Sequence, residues 1–293
     1  MTTATAGALS APPDSATIEA VLDRAFGEDL RNGPDLTTLA CVPRDAVGTA
    51  DVIAREPGVL AGIPVAVAAW RRLCGDELEI RHALLDGAPL RAGTVVLTVR
   101  GPLAGLLTAE RTALNLLCHL SGVASTTRRW VDAVVGTGAR VRDTRKTLPG
   151  LRSLEKYAVR CGGGVNHRMS LGDAALIKDN HVAAAGSVRA AVAAVRRRWP
   201  HIPLEVEVDT LDQLDEALGT GVPLILLDNF TLADTVEAVG RAGSVPGVEL
   251  EASGGLTLDR AAAVAATGVH YLAVGALTAS AHSLDLGFDL RTG

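Results

Sequence analysis

Residues 204–230 read LEVEVDTLDQLDEALGTGVPLILLDNF, and this stretch decides the architecture. Leu204–Val208 and Leu224–Leu227 are short apolar runs bounded by turn residues, as buried strands are. Between them, Leu211–Leu218 spaces its apolar residues at the helical period. A strand, a helix and a second strand in quick succession make a βαβ unit. Its strands must be parallel, because the helix carries the chain back to the end where it began.

The same rhythm extends in both directions. Ala139–Arg142, Ala174–Ile177, Val248–Glu251 and Tyr271–Val274 read as strands, and Val188–Arg198, Thr231–Ala242 and Thr257–Thr267 as helices. This many βα units in a row predict a barrel rather than an open sheet. The span is too short for eight units, so the barrel is a reduced one. Upstream the pattern changes. Gly48–Ala54, Val59–Gly62 and Val95–Arg100 have β character around a helix at Ile63–Leu73, which predicts a small α+β layer structure. Leu103–Trp130 predicts one long helix, or two broken near Ser121–Gly122. It carries Arg111, Asn115 and His119 at four-residue spacing on one face, a pattern that also describes a solvated polar stripe. Ile18–Phe26 reads as a short helix started by Pro13 and Ser15, and residues 1–16 as a flexible tail.

Composition narrows the function. Apolar residues make up 48% of the chain and charged residues 21%, as in an ordinary folded globular protein. The net charge of −5 excludes a nonspecific nucleic-acid binder, so an anion site must be a local cluster of cations. No basic residue precedes Arg24, which argues against a secretory signal, and no long apolar run suggests a membrane span. Cys41, Cys74, Cys118 and Cys161 form no metal-type spacing, so reduced thiols in the cytoplasm are the expectation.

The cation cluster is legible. Of 28 lysines and arginines, three are lysines, and Lys146, Lys156 and Lys178 all fall between Asp143 and His181. Lysine is a compact point charge that arginine's flat fork does not reproduce. The same stretch holds Arg145, His167, Arg168 and a triple glycine. In a parallel barrel the C-terminal strand ends form the active-site mouth. Those ends supply Arg145 and Lys146, then Lys178, then Glu205 and Glu207 with Asp209, then Asp228, then Glu251. Ser253, Gly254, Gly275 and Ala276 follow on the last two strands, where backbone N–H groups can cradle a phosphate. Glu207 and Asp228 offer oxygen donors suited to Mg²⁺ shared with substrate oxygens; pairing with the rim arginines is the alternative. Lys156, one turn from Arg152 and Arg160, reads as structural or as a contributor to the field.

DTRKTLPGLRSLEKYAVRCGGGVNHRMSLGDAALIKDNH at 143–181 resembles the signature of the quinolinate phosphoribosyltransferases. AERTALNLLCHLSGVAS at 109–125, EVEVDTLDQLDEAL at 205–218, LLDNF at 226–230, LEASGGL at 250–256 and YLAVGALTAS at 271–280 add to the resemblance, in order along the chain. It implies a seven-stranded parallel α/β barrel at 123–280 and an N-terminal α+β open sandwich at 17–122, joined by 281–293. It implies transfer of a phosphoribosyl group from phosphoribosyl pyrophosphate to quinolinate, with Mg²⁺ and loss of CO₂, giving nicotinate mononucleotide in de novo NAD synthesis. It implies a homodimer, in which Arg111 reaches the partner's site. Arg145, Arg168 and Lys178 would bind the two carboxylates, and His167 would line that pocket or serve as a structural imidazole. Lys146 would contact the phosphoribosyl donor. Glu207 and Asp228 would face the ribose hydroxyls and the metal. Ser253, Gly254, Gly275 and Ala276 would hold the 5′-phosphate. Other readings are a related phosphoribosyltransferase with a different substrate, a Schiff-base aldolase built on Lys178, and a non-catalytic binding protein.

Overall fold

The computed structural model describes residues 11–291. In chain order the elements are α1 (Ser15–Asp29), α2 (Leu36–Cys41), β1 (Val47–Ala54), β2 (Gly58–Val59), α3 (Ile63–Cys74), β3 (Glu79–Ala83), β4 (Pro89–Leu90), β5 (Val95–Pro102), α4 (Leu103–Ala133), β6 (Arg140–Arg142), α5 (Arg152–Cys161), β7 (Ala175–Ile177), α6 (Asp179–Ala185), α7 (Val188–Arg198), β8 (Leu204–Val208), α8 (Leu211–Leu218), β9 (Leu224–Asp228), α9 (Leu232–Ala242), β10 (Glu249–Ser253), α10 (Leu258–Ala265), β11 (Tyr271–Ala273), α11 (Ala276–Ala279) and β12 (Leu286–Arg291). The chain divides into two compact units. Among the described residues one takes 11–128, 147–163 and 277–291; the other takes 129–146 and 164–276. Of the expected tail, residues 1–10 lie outside the described residues, and Ser15 and Ala16 already belong to α1, which Asp14 caps by accepting from Thr17 N–H.

The first unit is built on a four-stranded antiparallel sheet in the order β12-β1-β5-β3. Its centre is dry: Ala50, Val52, Ala54, Val96, Leu97 and Val99 are fully buried. Asp51 ties three of its strands together, accepting from Thr98 Oγ1 at 2.6 Å and from Arg291 Nε at 2.7 Å. Fully buried Trp70 on α3 donates from Nε1 to Leu106 O at 3.1 Å and stacks on Phe288 of β12 at 5.7 Å. Truncating so large a side chain to alanine costs about 3–5 kcal/mol.

The helix α4 is continuous through Ser121–Gly122. These residues do not break it because they serve close packing. Ser121 Oγ accepts from Ala61 N–H and donates to Ala61 O. A Cβ on Gly122 would stand 2.0 Å from His282 O. Helix α5 buries Glu155 and Lys156 completely. Glu155 accepts from His119 Nε2 at 2.8 Å and from Leu148 N–H at 3.1 Å. Lys156 is therefore an interior residue of the first unit, not part of the rim.

The second unit carries a parallel sheet in the order β6-β11-β10-β9-β8-β7. Among the described residues the expected seventh strand is a single parallel bridge, Val165 beside Arg142 of β6. Helices α7 to α10 follow the alternation read from the sequence, and Ser187, Thr210 and Thr231 cap α7, α8 and α9 through their hydroxyls. No helix among the described residues is long and apolar enough to cross a membrane.

Candidate active site

The strand ends of the second unit bring together most of the residues singled out above. Arg145 and Lys146 follow β6. The stem of Lys146 lies across Gly275, where a Cβ would stand 2.7 Å from Lys146 Cδ. The Nε of Arg145 is buried and has no hydrogen-bond partner among the described residues. Arg168 donates from Nη1 to Ala174 O at 2.8 Å. Burial, and next to it the Arg145 guanidinium, hold Arg168 below arginine's usual value. Two guanidiniums thus lie within electrostatic range of each other, which is unfavourable unless an anion is shared between them.

His167 is more firmly held than a pocket-lining side chain needs to be. Its backbone N–H donates to Asp143 Oδ1 at 2.8 Å, and its Nδ1 accepts from Arg168 N–H at 2.7 Å. Its Nε2 lies 2.8 Å from Glu205 Oε2. These partners assign the ring proton to Nε2.

Glu205 and Glu251 are not on the rim where the sequence put them. Glu205 lies near the start of β8, and β10 runs two residues beyond Glu251, so both carboxylates fall inside the barrel and are buried. His167, Glu205 and Glu251 bring donor atoms within 4.8 Å of one another. Arg142, 2.6 Å from Glu251 Oε2, already supplies the positive charge there. Burial, then the Glu205 charge, push the Glu251 carboxyl up toward its protonated form, partly offset by Arg142. The arrangement is a buried polar floor beneath the rim, in which Glu205 Oε1 and Glu251 Oε1 have no hydrogen-bond partner among the described residues, in a place that barrels usually fill with branched apolar residues.

On β7 and β8, Lys178 Nζ donates to Glu207 Oε2. Glu207 is thus paired with a rim lysine, not with a rim arginine. Asp228 ends β9 and accepts from Asn229 Nδ2 at 2.7 Å. Burial, then Asp228, raise the Asp209 carboxyl, so a second carboxylate stands near Asp228. Ser253 pairs in register with Asp228. Asn229 adopts φ 56°, and at Gly254, φ +80°, a Cβ would meet Asn229 Oδ1 at 2.3 Å. Gly255 also has positive φ, and such a turn presents backbone N–H groups toward one point. A cavity of about 330 Å³ opens at the ends of β8 and β9 among Asp209, Thr210, Asn229 and Phe230, which sequence reading did not anticipate. Gly275 and Ala276 follow β11. Arg111 lies in the first unit, exposed on α4, with no hydrogen bond or ion pair among the described residues.

The chain matches the family model described as quinolinate phosphoribosyl transferase, N-terminal domain, over residues 35–121. It matches the corresponding C-terminal domain over residues 123–289. These models meet at residue 122, whereas the compact units part after Arg128 and the first reclaims 147–163. The chain is 58% identical over 269 residues to the nicotinate-nucleotide pyrophosphorylase [carboxylating] of Mycobacterium leprae, covering 91% of this chain and 95% of that one. It is 38% identical to the human protein of the same description, covering 97% and 94%. The crystal structure of NadC from Streptococcus pyogenes superposes with a TM-score of 0.90 at 38% identity, covering 97% of this chain and all of that one. The chain belongs to the quinolinate phosphoribosyltransferase family.

Proposed function

We infer that the chain is a nicotinate-nucleotide pyrophosphorylase (carboxylating): it converts quinolinate and phosphoribosyl pyrophosphate to nicotinate mononucleotide, CO₂ and pyrophosphate, a step of NAD biosynthesis. The observation that carries this reading is the match to both quinolinate phosphoribosyl transferase domain models over residues 35–289, with Arg145, Arg168 and Lys178 all in the second unit. Two forks and a point charge suit a planar dianion, each carboxylate taking charge-assisted hydrogen bonds.

The pyridine nitrogen forms a bond to the ribose C1 as the bond from C1 to pyrophosphate breaks. Positive charge develops on the ribose ring, and the carboxylates of Glu207 and Asp228 would offset it. The ring nitrogen, now alkylated and positive, stabilises by its adjacent charge the electron pair that stays on C2 when the bond to the 2-carboxylate breaks. CO₂ leaves, and C2 then takes a proton from solvent. Lys146, laid over Gly275, would contact the donor's phosphates, and Ser253, Gly254, Gly275 and Ala276 would hold the 5′-phosphate.

Mg²⁺ fits this end of the site in a particular way. Glu207 and Asp228 do not belong to a three-donor protein cluster among the described residues, so the ion would complete its shell with donor oxygens and water, as Mg²⁺ commonly does. When bound it neutralises the pyrophosphate leaving group. A homodimer with Arg111 contributed to the partner's pocket accounts for an exposed, unpaired cation on α4. Four free cysteines accord with a reducing cytoplasm. The test is direct: the purified chain with both substrates and Mg²⁺ forms nicotinate mononucleotide and CO₂ in equal amounts, and absence of either product rejects the reading.

A further inference from the structure

The seventh barrel position is a ladder that stops after one bridge and is continued by a side chain. Val165 N–H donates to Val141 O at 2.9 Å, and Asp143 N–H donates to Val165 O at 3.2 Å. A regular parallel ladder would next pair His167 N–H with the backbone carbonyl of Asp143. Instead His167 N–H donates to the side-chain Oδ1 of Asp143 at 2.8 Å, and Asn166 Nδ2 donates to Oδ2 at 2.5 Å. The carboxylate thus takes the place of a main-chain acceptor, and it holds residues 166–168 away from β6 by a side chain's length. Asp143 is fully buried, and a buried carboxylate is retained only where its acceptors are used.

We propose that Asp143 is a positioning residue for the dicarboxylate pocket. It pins the segment bearing His167 and Arg168 to the strand bearing Arg145, and so sets the separation of the two guanidiniums. The inference rests on the reading of Arg145 and Arg168 as the carboxylate-binding pair. The two sides of the clamp differ in their other supports. Strand β6 is held independently by pairing with β11, from Tyr271 opposite Arg140 to Ala273 opposite Arg142, and Lys146 packs across Gly275. Residues 166–168 have left the ladder and are otherwise held through side chains, His167 Nε2 on Glu205 Oε2 at 2.8 Å, Arg168 Nη1 on Ala174 O at 2.8 Å and Arg142 Nε on Asn166 O at 3.5 Å. Of these three contacts the long Arg142 bond alone reaches β6, so releasing the Asp143 clamp lets Arg168 shift relative to Arg145 and leaves Lys146 in place; quinolinate binding suffers and phosphoribosyl-donor binding does not.

The experiment compares Asp143→Ala, Asp143→Asn, Asn166→Ala and Arg168→Ala in the full chain, with KM for each substrate, kcat and thermal midpoint. Asp143→Ala is expected to raise the quinolinate KM about 10-fold or more, with the donor KM within about 3-fold of wild type, by the cost of misplacing a binding group. Asp143→Asn keeps an acceptor for His167 N–H and is expected to return the quinolinate KM to within about 3-fold of wild type. Should Asp143→Ala not fold, Asn166→Ala removes one arm alone and is expected to raise the quinolinate KM about 3-fold, donor KM unchanged. The proposal is overturned by a wild-type quinolinate KM in Asp143→Ala or Asn166→Ala, by equal rises in both KM values, or by Asp143→Asn as impaired as Asp143→Ala. Arg168→Ala separates the two levels. If it leaves the quinolinate KM unchanged, the pocket assignment has failed; if it raises that KM while Asp143→Ala does not, only the clamp has failed.

Discussion

Lys178 and Glu207 face each other from neighbouring parallel strands and are joined by an ion pair. The register makes this meeting necessary: Ile177 pairs with Val206, and one further step sets Lys178 alongside Glu207. In the proposed reading Lys178 binds the dicarboxylate and Glu207 faces the ribose and metal, so the pair would mark the boundary between the two substrates. Lys178→Ala removes the point charge at that boundary and is expected to lower kcat/KM for quinolinate at least about 100-fold, roughly the worth of one or two charge-assisted hydrogen bonds. Lys178→Arg should not restore it, because the flat fork cannot serve both neighbours. Steady-state kinetics with an unchanged circular dichroism spectrum check this.

Gly275 gives a cleaner test of Lys146. An added Cβ would meet Lys146 Cδ at 2.7 Å, and the flexible stem can swing away at small cost to the fold. Gly275→Ala is expected to raise the phosphoribosyl-donor KM about 10-fold while leaving the thermal midpoint within about 2 °C, the scale of a surface substitution. A large loss of midpoint with an intact donor KM would reverse the assignment.

Glu251 predicts a pH dependence of stability. Burial, then Glu205, raise its folded carboxyl above the usual 4.5. The unfolded chain therefore loses this proton first as pH rises. The group's stabilising contribution is complete below about 4.5 and is lost as pH climbs through its raised folded value. Glu251→Gln keeps an acceptor for Arg142 and removes that titration, so its thermal midpoint should fall less than the wild type's between pH 5 and pH 8. Parallel midpoint curves for the two proteins would contradict this.

The proposed sharing of the site between two subunits can be tested by complementation. Arg111→Ala and Lys178→Ala are each expected to be inactive. In a mixed dimer one site carries both changes and the other carries neither. Co-refolded or co-expressed subunits should therefore regain about a quarter of wild-type activity, by the statistics of random pairing. No recovery would place Arg111 outside the partner's site.

How far the sequence reached can be followed residue by residue. The β8–α8–β9 unit was legible because strand and helix periods alternate without interruption. The cation cluster was legible because lysine is scarce elsewhere. The floor was not. Glu251 looks like a rim residue when β10 is ended two positions early. Glu205 groups with the rim by sequence although its strand bounds match those of β8, and only tertiary structure shows both buried with His167 and Arg142. The seventh strand was not legible from periodicity, since a single bridge at Val165 has no period. The triple glycine stands in the sequence only as part of the cation stretch, and its reason is tertiary: a Cβ on Gly162 would stand 2.5 Å from Ala124 O. Asp143 was visible as a strand-end polar residue, but its use as a ladder acceptor depends on residues more than twenty positions away.

The central claim is that Arg145, Arg168 and Lys178 form a pocket for two carboxylates. The most direct measurement compares kcat/KM for quinolinate and for nicotinate under identical phosphoribosyl pyrophosphate and Mg²⁺. Nicotinate lacks the 2-carboxylate, so charged groups built to bind it would be left unpaired. The account predicts a preference for quinolinate of at least about 10³-fold, the discrimination expected when a binding site's polar groups lose their partner. Comparable turnover of nicotinate would contradict it.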